Sequence, residues 1–152
     1  MARTLKTTVM QLTGALLLGS TALAQAAAPL IEVYKTPSCG CCVKWIDHLR
    51  LNGFAVKAID VPETASIRKK FGIAEQHGSC HTAKVKGYAI EGHVPAADIK
   101  RLIKEKPSAT GLAVPGMPMG SPGMEAEHAD AYDVVLIKKN GSTSTYRHYK
   151  GS

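Results

Sequence analysis

The stretch "LIEVYKTPSCGCCVKWIDHL", which spans residues 30–49, decides the fold. Its first part, "LIEVYKT" (30–36), is rich in β-branched and aromatic residues and is stopped by Pro37, which predicts a strand. Apolar residues then recur at the i, i+3, i+4, i+7 spacing of one helix face, namely Cys42, Trp45, Ile46 and Leu49. A strand therefore leads into a turn that carries cysteines, and this turn opens a helix.

The rest of the chain continues this alternation of strand and helix. "FAVKAIDV" (54–61) predicts a second strand, and a helix follows it. Residues 81–92 predict a pair of short strands, and Pro95 opens another helix. Asn140-Gly141 between two β-prone runs predicts a C-terminal hairpin. A cysteine turn that joins a strand to a helix within a βαβ unit is typical of the thioredoxin-like arrangement, so the predicted fold class is α/β.

The N-terminus has the layout of a secretory signal peptide. Two basic residues precede an uncharged apolar run, which is shorter than the ~20 residues that a membrane-spanning helix needs. Small residues allow cleavage after Ala24 or Ala26. We therefore expect an exported protein that has no membrane association after cleavage. The segments we assign are a signal peptide (1–24), a thioredoxin-like core (25–107), a Gly/Pro/Met-rich loop without periodicity (108–131) and a hairpin that completes the same domain (132–152).

The positive charge does not predict binding to nucleic acid. The sequence has 19 basic and 12 acidic residues, a net charge of +7. Much of the basic charge lies in "IRKKF" (67–71) and "IKRLIKEK" (99–106), where apolar residues at helical spacing indicate solvated helix faces. Aromatic residues for base stacking are few and zinc-finger spacing is absent from the sequence, so we expect no nucleic-acid partner.

The cysteines differ in their predicted surroundings. Cys42 shares the apolar helix face, so its sulfur should be sheltered. Cys39 should lie at the helix start, where unpaired backbone N–H groups and the helix dipole favour a thiolate. Cys41 projects at another angle, and Cys80 follows much later in the chain.

Three interpretations of these cysteines stay open. In a structural framework, a Cys39–Cys42 disulfide is feasible, whereas pairing Cys41 with either neighbour is strained. In a C-x-x-C dithiol, Cys39 attacks and Cys42 resolves, which leaves Cys41 without a role. A soft-metal site uses all of the sulfurs, because thiolates bind Cu(I) well.

Methionines and one histidine favour copper among the metals. Met117, Met119 and Met124 lie close together in the predicted loop, and thioether sulfur suits Cu(I) better than zinc. The alternative role for such methionines is to fill gaps in the core. His81 follows Cys80 directly and is a candidate ligand or proton-transfer group, although neighbours on a strand point to opposite faces. We assign the other histidines, including His77, His93 and His128, to the surface or to loop structure.

Three motifs together resemble the CopG-type copper-resistance proteins of Gram-negative bacteria: "TPSCGCC", "SCHTAKVKGYAIEGHVPAADIKRLI" and "GMPMGSPGME". The resemblance extends from about Leu30 to Tyr149. It implies a thioredoxin-like domain with a C-terminal extension that folds back to help bind metal. It also implies a copper site of one or several ions, cycling between Cu(I) and Cu(II). The implied ligands are the thiolates of Cys39, Cys41 and Cys42, a fourth sulfur from Cys80, and Met117 and Met124 from the extension.

The predicted function is that of a periplasmic copper-binding protein of copper resistance, which interconverts Cu(I) and Cu(II) with Cys39 and Cys42 as the catalytic pair. An enzymatic role as a copper-dependent oxidoreductase is left open. The alternatives are a metal-free thiol–disulfide oxidoreductase and a copper chaperone or buffer without redox turnover. The expected partners are copper ions and either a copper efflux system or a periplasmic electron donor, and we expect a monomer.

Overall fold

The computed structural model describes residues 27–152. The predicted signal peptide (1–24) and both predicted cleavage points lie outside the described residues. Within 27–152 the chain forms seven strands and three α-helices. In chain order they are β1 (Leu30–Lys35), α1 (Gly40–Leu51), β2 (Ala55–Asp60), α2 (Ala65–Lys70), β3 (His81–Val85), β4 (Tyr88–Glu91), α3 (Ala96–Glu105), β5 (Ala109–Ala113), β6 (Tyr132–Lys138) and β7 (Thr143–Tyr149).

The strands form one mixed sheet in the order β2-β1-β3-β4-β5-β6-β7. The pairs β1–β2 and β4–β5 are parallel, and each pair is connected through a helix, as parallel neighbours require. The remaining neighbours are antiparallel. The α/β class predicted from the sequence is therefore confirmed.

Helix α1 attaches the cysteine turn to the core. The residues that it buries are those of the predicted face: Cys42, Trp45, Ile46 and Leu49. The indole Nε1–H of Trp45 donates to the carbonyl of Val94 at 2.9 Å, so the buried ring has a polar partner as well as apolar neighbours. The helix ends at Asn52-Gly53, where Gly53 has a φ of 83°. This packing gives the first turn of α1 a defined position.

The predicted loop 108–131 is shorter than the sequence indicates, because its first part is strand β5. Ala109–Ala113 contains mostly small residues and a single β-branched one, Thr110, so no local pattern predicts a strand there. Gly111 packs so closely on β4 that a Cβ atom would overlap the carbonyl oxygen of Ala89. Pairing with β4 and β6 therefore decides the conformation, and the irregular segment runs over 114–131.

The C-terminal hairpin extends the same sheet. Strands β6 and β7 pair around Asn140-Gly141, as the sequence predicts, and Gly141 has a φ of 82°. The Tyr149 hydroxyl donates to the buried carboxylate of Asp98 on α3 at 2.7 Å. A guanidinium N–H of Arg101 donates to the Tyr146 carbonyl, also at 2.7 Å. Across residues 27–152, no helix has the length and apolar character needed to cross a membrane.

Candidate metal centre

Four cysteine sulfurs lie together at one end of the sheet. Cys39 and Cys42 form a disulfide, while Cys41 and Cys80 are free thiols. The Cys80 Sγ atom is 3.6 Å from Sγ of Cys41 and 3.6 Å from Sγ of Cys42. The Sγ atoms of Cys39 and Cys41 are also 3.6 Å apart. The structure therefore brings all four predicted thiolate ligands to one place.

The sheet explains why Cys80 reaches the cysteine turn. Strands β1 and β3 are antiparallel neighbours, and Lys35 at the end of β1 pairs with His81 at the start of β3. The chain segments that follow β1 and precede β3 therefore lie at the same end of the sheet. The first of these carries the cysteine turn, and the second carries Cys80.

Two histidines point their ring nitrogens at the Cys80 sulfur. Its Sγ atom lies 3.3 Å from Nδ1 of His81 and 3.1 Å from Nε2 of His93. The opposite nitrogens face carbonyl oxygens, at 3.0 Å from Gly92 and 2.9 Å from Pro122. Because a carbonyl can only accept, each ring donates its N–H there and directs a lone pair at Cys80. Carbonyl partners of this kind commonly fix the tautomer of a metal-binding histidine.

The surroundings keep these groups uncharged in the metal-free protein. Burial lowers the pKa of His81 to about 3, and neighbouring His93 contributes in the same direction. Burial also lowers the pKa of His93. Burial, with the nearby Cys41 thiol, raises the pKa of Cys80 to about 12. A bound cation would reverse the preference of the thiol, because metal ligation deprotonates it.

The expectation of a surface position for His93 is wrong, because the residue is buried and its ring lies in the cluster, while its bond to the Pro122 carbonyl agrees with a role in loop structure. The signal that could have found it is the register of the β3–β4 hairpin. Thr82 pairs with Glu91 in the last pair of the ladder, so Cys80 and His93, which lie just beyond it, leave the sheet at the same end. The expectation that Cys80 and His81 point apart also fails, because Cys80 precedes β3 and is not bound by its alternation.

The methionines are arranged differently from the prediction. Met119 and Met124 line a cavity of about 320 Å³ beside Cys41, together with Gly40, Lys44, Gly123 and Glu125. Met117 is 51% exposed and is not among the residues that line this cavity. The structure thus places Met124 next to the cysteine turn, and it places Met119, which the resemblance does not assign, at the same cavity.

The irregular segment packs directly on α1. Gly123, at a φ of 88°, lies so near the helix that a Cβ atom would be 2.8 Å from the Cys41 carbonyl oxygen and 2.9 Å from the Trp45 backbone nitrogen. Its neighbour Pro122 supplies the carbonyl that His93 donates to. The segment therefore forms one wall of the cluster, as the resemblance implies for the C-terminal extension.

Two solved structures are similar to this chain. "Copper resistance protein copG- Form 2" is 43% identical, with a TM-score of 0.77, over 80% of this chain and 98% of that chain. "Copper resistance protein copG- Form 1" is 44% identical, with the same TM-score and coverage. The chain belongs to the CopG family of copper resistance proteins. A family described as "Protein of unknown function, DUF411" matches residues 77–124, a range that holds Cys80 and both site histidines of this CopG chain. A comparison with curated protein sequences finds no match.

The metal-free CopG chain should lose stability as the pH falls below about 6.5. The folded-state pKa of His81 is lowered from 6.5 to about 3, so between these values the unfolded chain binds a proton that the folded chain excludes. Each such proton changes the free energy of unfolding by up to about 1.4 kcal/mol per pH unit. Urea unfolding of the reduced protein at pH 7, 6 and 5 measures this slope. The slope should become shallower in His81→Gln, and an identical slope in both proteins would contradict the prediction.

Proposed function

We propose that this CopG family member is a periplasmic copper-binding protein in which Cys39, Cys41, Cys42 and Cys80 hold copper. One observation carries the proposal: Cys80 Sγ lies within 3.6 Å of Sγ of both Cys41 and Cys42 and within 3.3 Å of two imidazole nitrogens. The printed name of both similar structures, copper resistance protein, supports copper as the metal and resistance as the process.

The chemistry of the donor set fits Cu(I). Thiolate and thioether sulfurs are soft ligands that select Cu(I), and imidazole also suits copper. Met124 lies at the cavity next to Cys41 and would add a thioether. His81 and His93 would add neutral nitrogens, because burial keeps both rings unprotonated. Bound copper would supply one-electron redox chemistry to the site.

The thioredoxin-like core and the export of the protein belong to the same proposal. The order β2-β1-β3-β4, with a parallel β1–β2 pair and antiparallel β1–β3 and β3–β4 pairs, supports a thioredoxin-like core. The cysteine turn also lies where β1 gives way to α1. The periplasmic location rests on the signal-peptide pattern of residues 1–24.

The redox part of the proposal is that copper cycles between Cu(I) and Cu(II), with Cys39 and Cys42 as the redox pair. Their disulfide withdraws two of the four sulfurs from the thiolate state. Because the thiolate is the metal-binding form, two electrons must reduce this bond before all four sulfurs can bind. We expect the electrons to come from a periplasmic donor, and the copper to be exchanged with an efflux system.

Copper binding is tested by loading the reduced protein with Cu(I) without oxygen. We expect copper to stay bound through gel filtration, and the copper-to-protein ratio gives the number of ions. Alternating ferricyanide and ascorbate, followed by EPR, then tests cycling. Retention of copper in both states would support redox turnover, whereas release on oxidation would indicate a chaperone or buffer. Failure to retain Cu(I) would refute the proposal.

A second candidate is a metal-free thiol–disulfide oxidoreductase. It is favoured by the Cys39–Cys42 disulfide and by the free Cys80 thiol, whose sulfur is 3.6 Å from that of Cys42. Reduction of a small disulfide substrate by the copper-free dithiol, at a rate that added Cu(I) leaves unchanged, would support this candidate over the copper site.

Replacing Met124 with alanine should weaken Cu(I) binding by about tenfold or more, the range found when groups around a metal are removed. Met117→Ala is the matched control, since Met117 lies in the same segment but is more than half exposed. Competition with a Cu(I) chelator measures both affinities. If the two variants lose affinity equally, then Met117 is a ligand as the sequence predicts, and the segment must rearrange when copper binds.

A further inference from the structure

A buried ion pair lies behind Cys80 and takes no part in the proposed ligand set. The guanidinium Nε–H of Arg68, on α2, donates to the carboxylate Oε1 of Glu91, at the end of β4, at 2.8 Å. Glu91 is 0% exposed and Arg68 is 9% exposed. Burying such a pair costs several kcal/mol of desolvation per ion, so it is weak evidence for stability. Its contacts point to another role.

The ion pair holds the backbone before Cys80 and a side chain beyond it. Before Cys80, the Ser79 N–H donates to Glu91 Oε1 at 2.7 Å, and Arg68 donates to the Ser79 carbonyl at 2.9 Å. Beyond Cys80, the Thr82 hydroxyl donates to Glu91 Oε2 at 2.6 Å. Both polar backbone groups of Ser79 are thus held by the two charged side chains, which leaves the adjacent Cys80 little freedom.

Close packing around these contacts prevents the residues next to Cys80 from shifting. A Cβ atom on Gly78 would lie 2.8 Å from the guanidinium carbon of Arg68. A Cβ atom on Gly92 would lie 2.6 Å from Cβ of Ser79. The Ser79 hydroxyl also donates to the Gly116 carbonyl, which ties the same residue to the irregular segment.

We propose that Arg68 and Glu91 are positioning residues, which set the place of the Cys80 sulfur relative to Cys41, Cys42 and the two imidazoles. That these residues affect Cu(I) affinity rests on the proposed function, whereas their effect on the position of the Cys80 sulfur does not. Two experiments separate these parts.

The first experiment uses no metal. In a Cys39→Ser/Cys42→Ser background, Cys41 and Cys80 keep their thiols, and their sulfurs are 3.6 Å apart. Diamide takes two electrons and two protons from the thiols, becomes the hydrazine, and leaves a Cys41–Cys80 disulfide. Adding Glu91→Gln should slow this reaction by roughly tenfold, because misplacement of reacting groups by about 1 Å can cost ~10²-fold. The Gln amide puts a donor where Glu91 accepts from Ser79, Arg68 or Thr82.

Matched variants show whether the effect is specific. Arg68→Lys keeps the charge but cannot reach both Glu91 and the Ser79 carbonyl with a fixed fork, so it should also slow the reaction. Asp98→Asn is the control, because it too alters a buried carboxylate. This carboxylate accepts a hydrogen bond from the Tyr149 hydroxyl on the hairpin. Circular dichroism checks the fold of each variant. An unchanged rate in Glu91→Gln and Arg68→Lys, or an equal slowing in Asp98→Asn, would overturn the proposal.

The second experiment measures coupling to copper in the full set of cysteines. Glu91→Gln alone should lower Cu(I) affinity by about 10- to 100-fold. In the Cys80→Ser background the same change should lower it no further, because the sulfur being positioned is gone. An undiminished effect in that background would show that Glu91 acts through another route. If Cys80→Ser itself leaves Cu(I) affinity unchanged, the proposed function fails, and the diamide rates still decide the positioning role.

Discussion

Replacing Cys80 with serine should lower the Cu(I) affinity of the reduced protein by more than about 100-fold. Structural zinc sites with four ligands bind with ~10–16 kcal/mol, and by analogy one ligand corresponds to roughly 3 kcal/mol, or about two powers of ten. The loss should be large for Cys80 in particular. Its sulfur lies within 3.6 Å of two cysteine sulfurs and within 3.3 Å of both histidine nitrogens.

Competition between the reduced protein and a Cu(I) chelator, without oxygen, measures this loss. His128→Ala is a suitable control, because His128 is exposed and lies in the same irregular segment that walls the cluster. The control should bind copper as the unaltered protein does. If Cys80→Ser keeps its affinity while Cys41→Ser loses it, the site does not include Cys80, and the convergence of the four sulfurs has another cause.

Replacing Trp45 with alanine should lower the free energy of unfolding by about 3–5 kcal/mol, a large part of the ~5–15 kcal/mol of a typical domain. The ring is 0% exposed and donates to the Val94 carbonyl at 2.9 Å. It also lies 4.3 Å, between centroids, from the His81 ring. The cavity left by alanine would therefore remove packing both in the core and beneath the His81 ring of the candidate metal site.

Urea unfolding of the reduced, metal-free protein measures this change. Val43→Ala is the matched control, because Val43 lies on the same helix and is 45% exposed. It should change the free energy of unfolding by about 0.5 kcal/mol or less. Trp45→Phe should fall between the two, since it keeps an aromatic ring but leaves the Val94 carbonyl without its donor. A loss below about 1 kcal/mol in Trp45→Ala would mean that the helix is held mainly by other contacts.

Local patterns were sufficient to predict the parts of the fold that satisfy their own periodicity. The buried face of α1 and the C-terminal hairpin follow from spacing and turn residues alone. Strand β5 could not be predicted in this way, because its mostly small residues become a strand through pairing with β4 and β6. The information that makes this segment a strand therefore lies in its neighbouring strands and not in its own residues.

The candidate site was predictable to the extent that clustered sulfurs are visible in a sequence. The approach of Cys80 to the cysteine turn depends on β1 and β3 being neighbours, which the spacing does not state. The inclusion of His93 depends on hairpin register. The choice of Met119 and Met124 over Met117 at the cavity depends on how an irregular segment packs, which no periodicity encodes.

The tight turn between β3 and β4 has a consequence for the candidate metal site at the other end of the hairpin. Lys86 and Gly87 both have positive φ, 47° and 88°, as a two-residue hairpin turn requires. The length of this turn fixes the register of β3 with β4, and this register brings Cys80 and His93 to the same end of the hairpin. One residue added there would shift the pairing of β3 with β4, so Cys80 and His93 would no longer leave the sheet opposite each other. The relative position of Cys80 and His93 therefore depends on the length of a turn far from both residues. A change in that length would alter their spacing while every side chain of the cluster stayed the same.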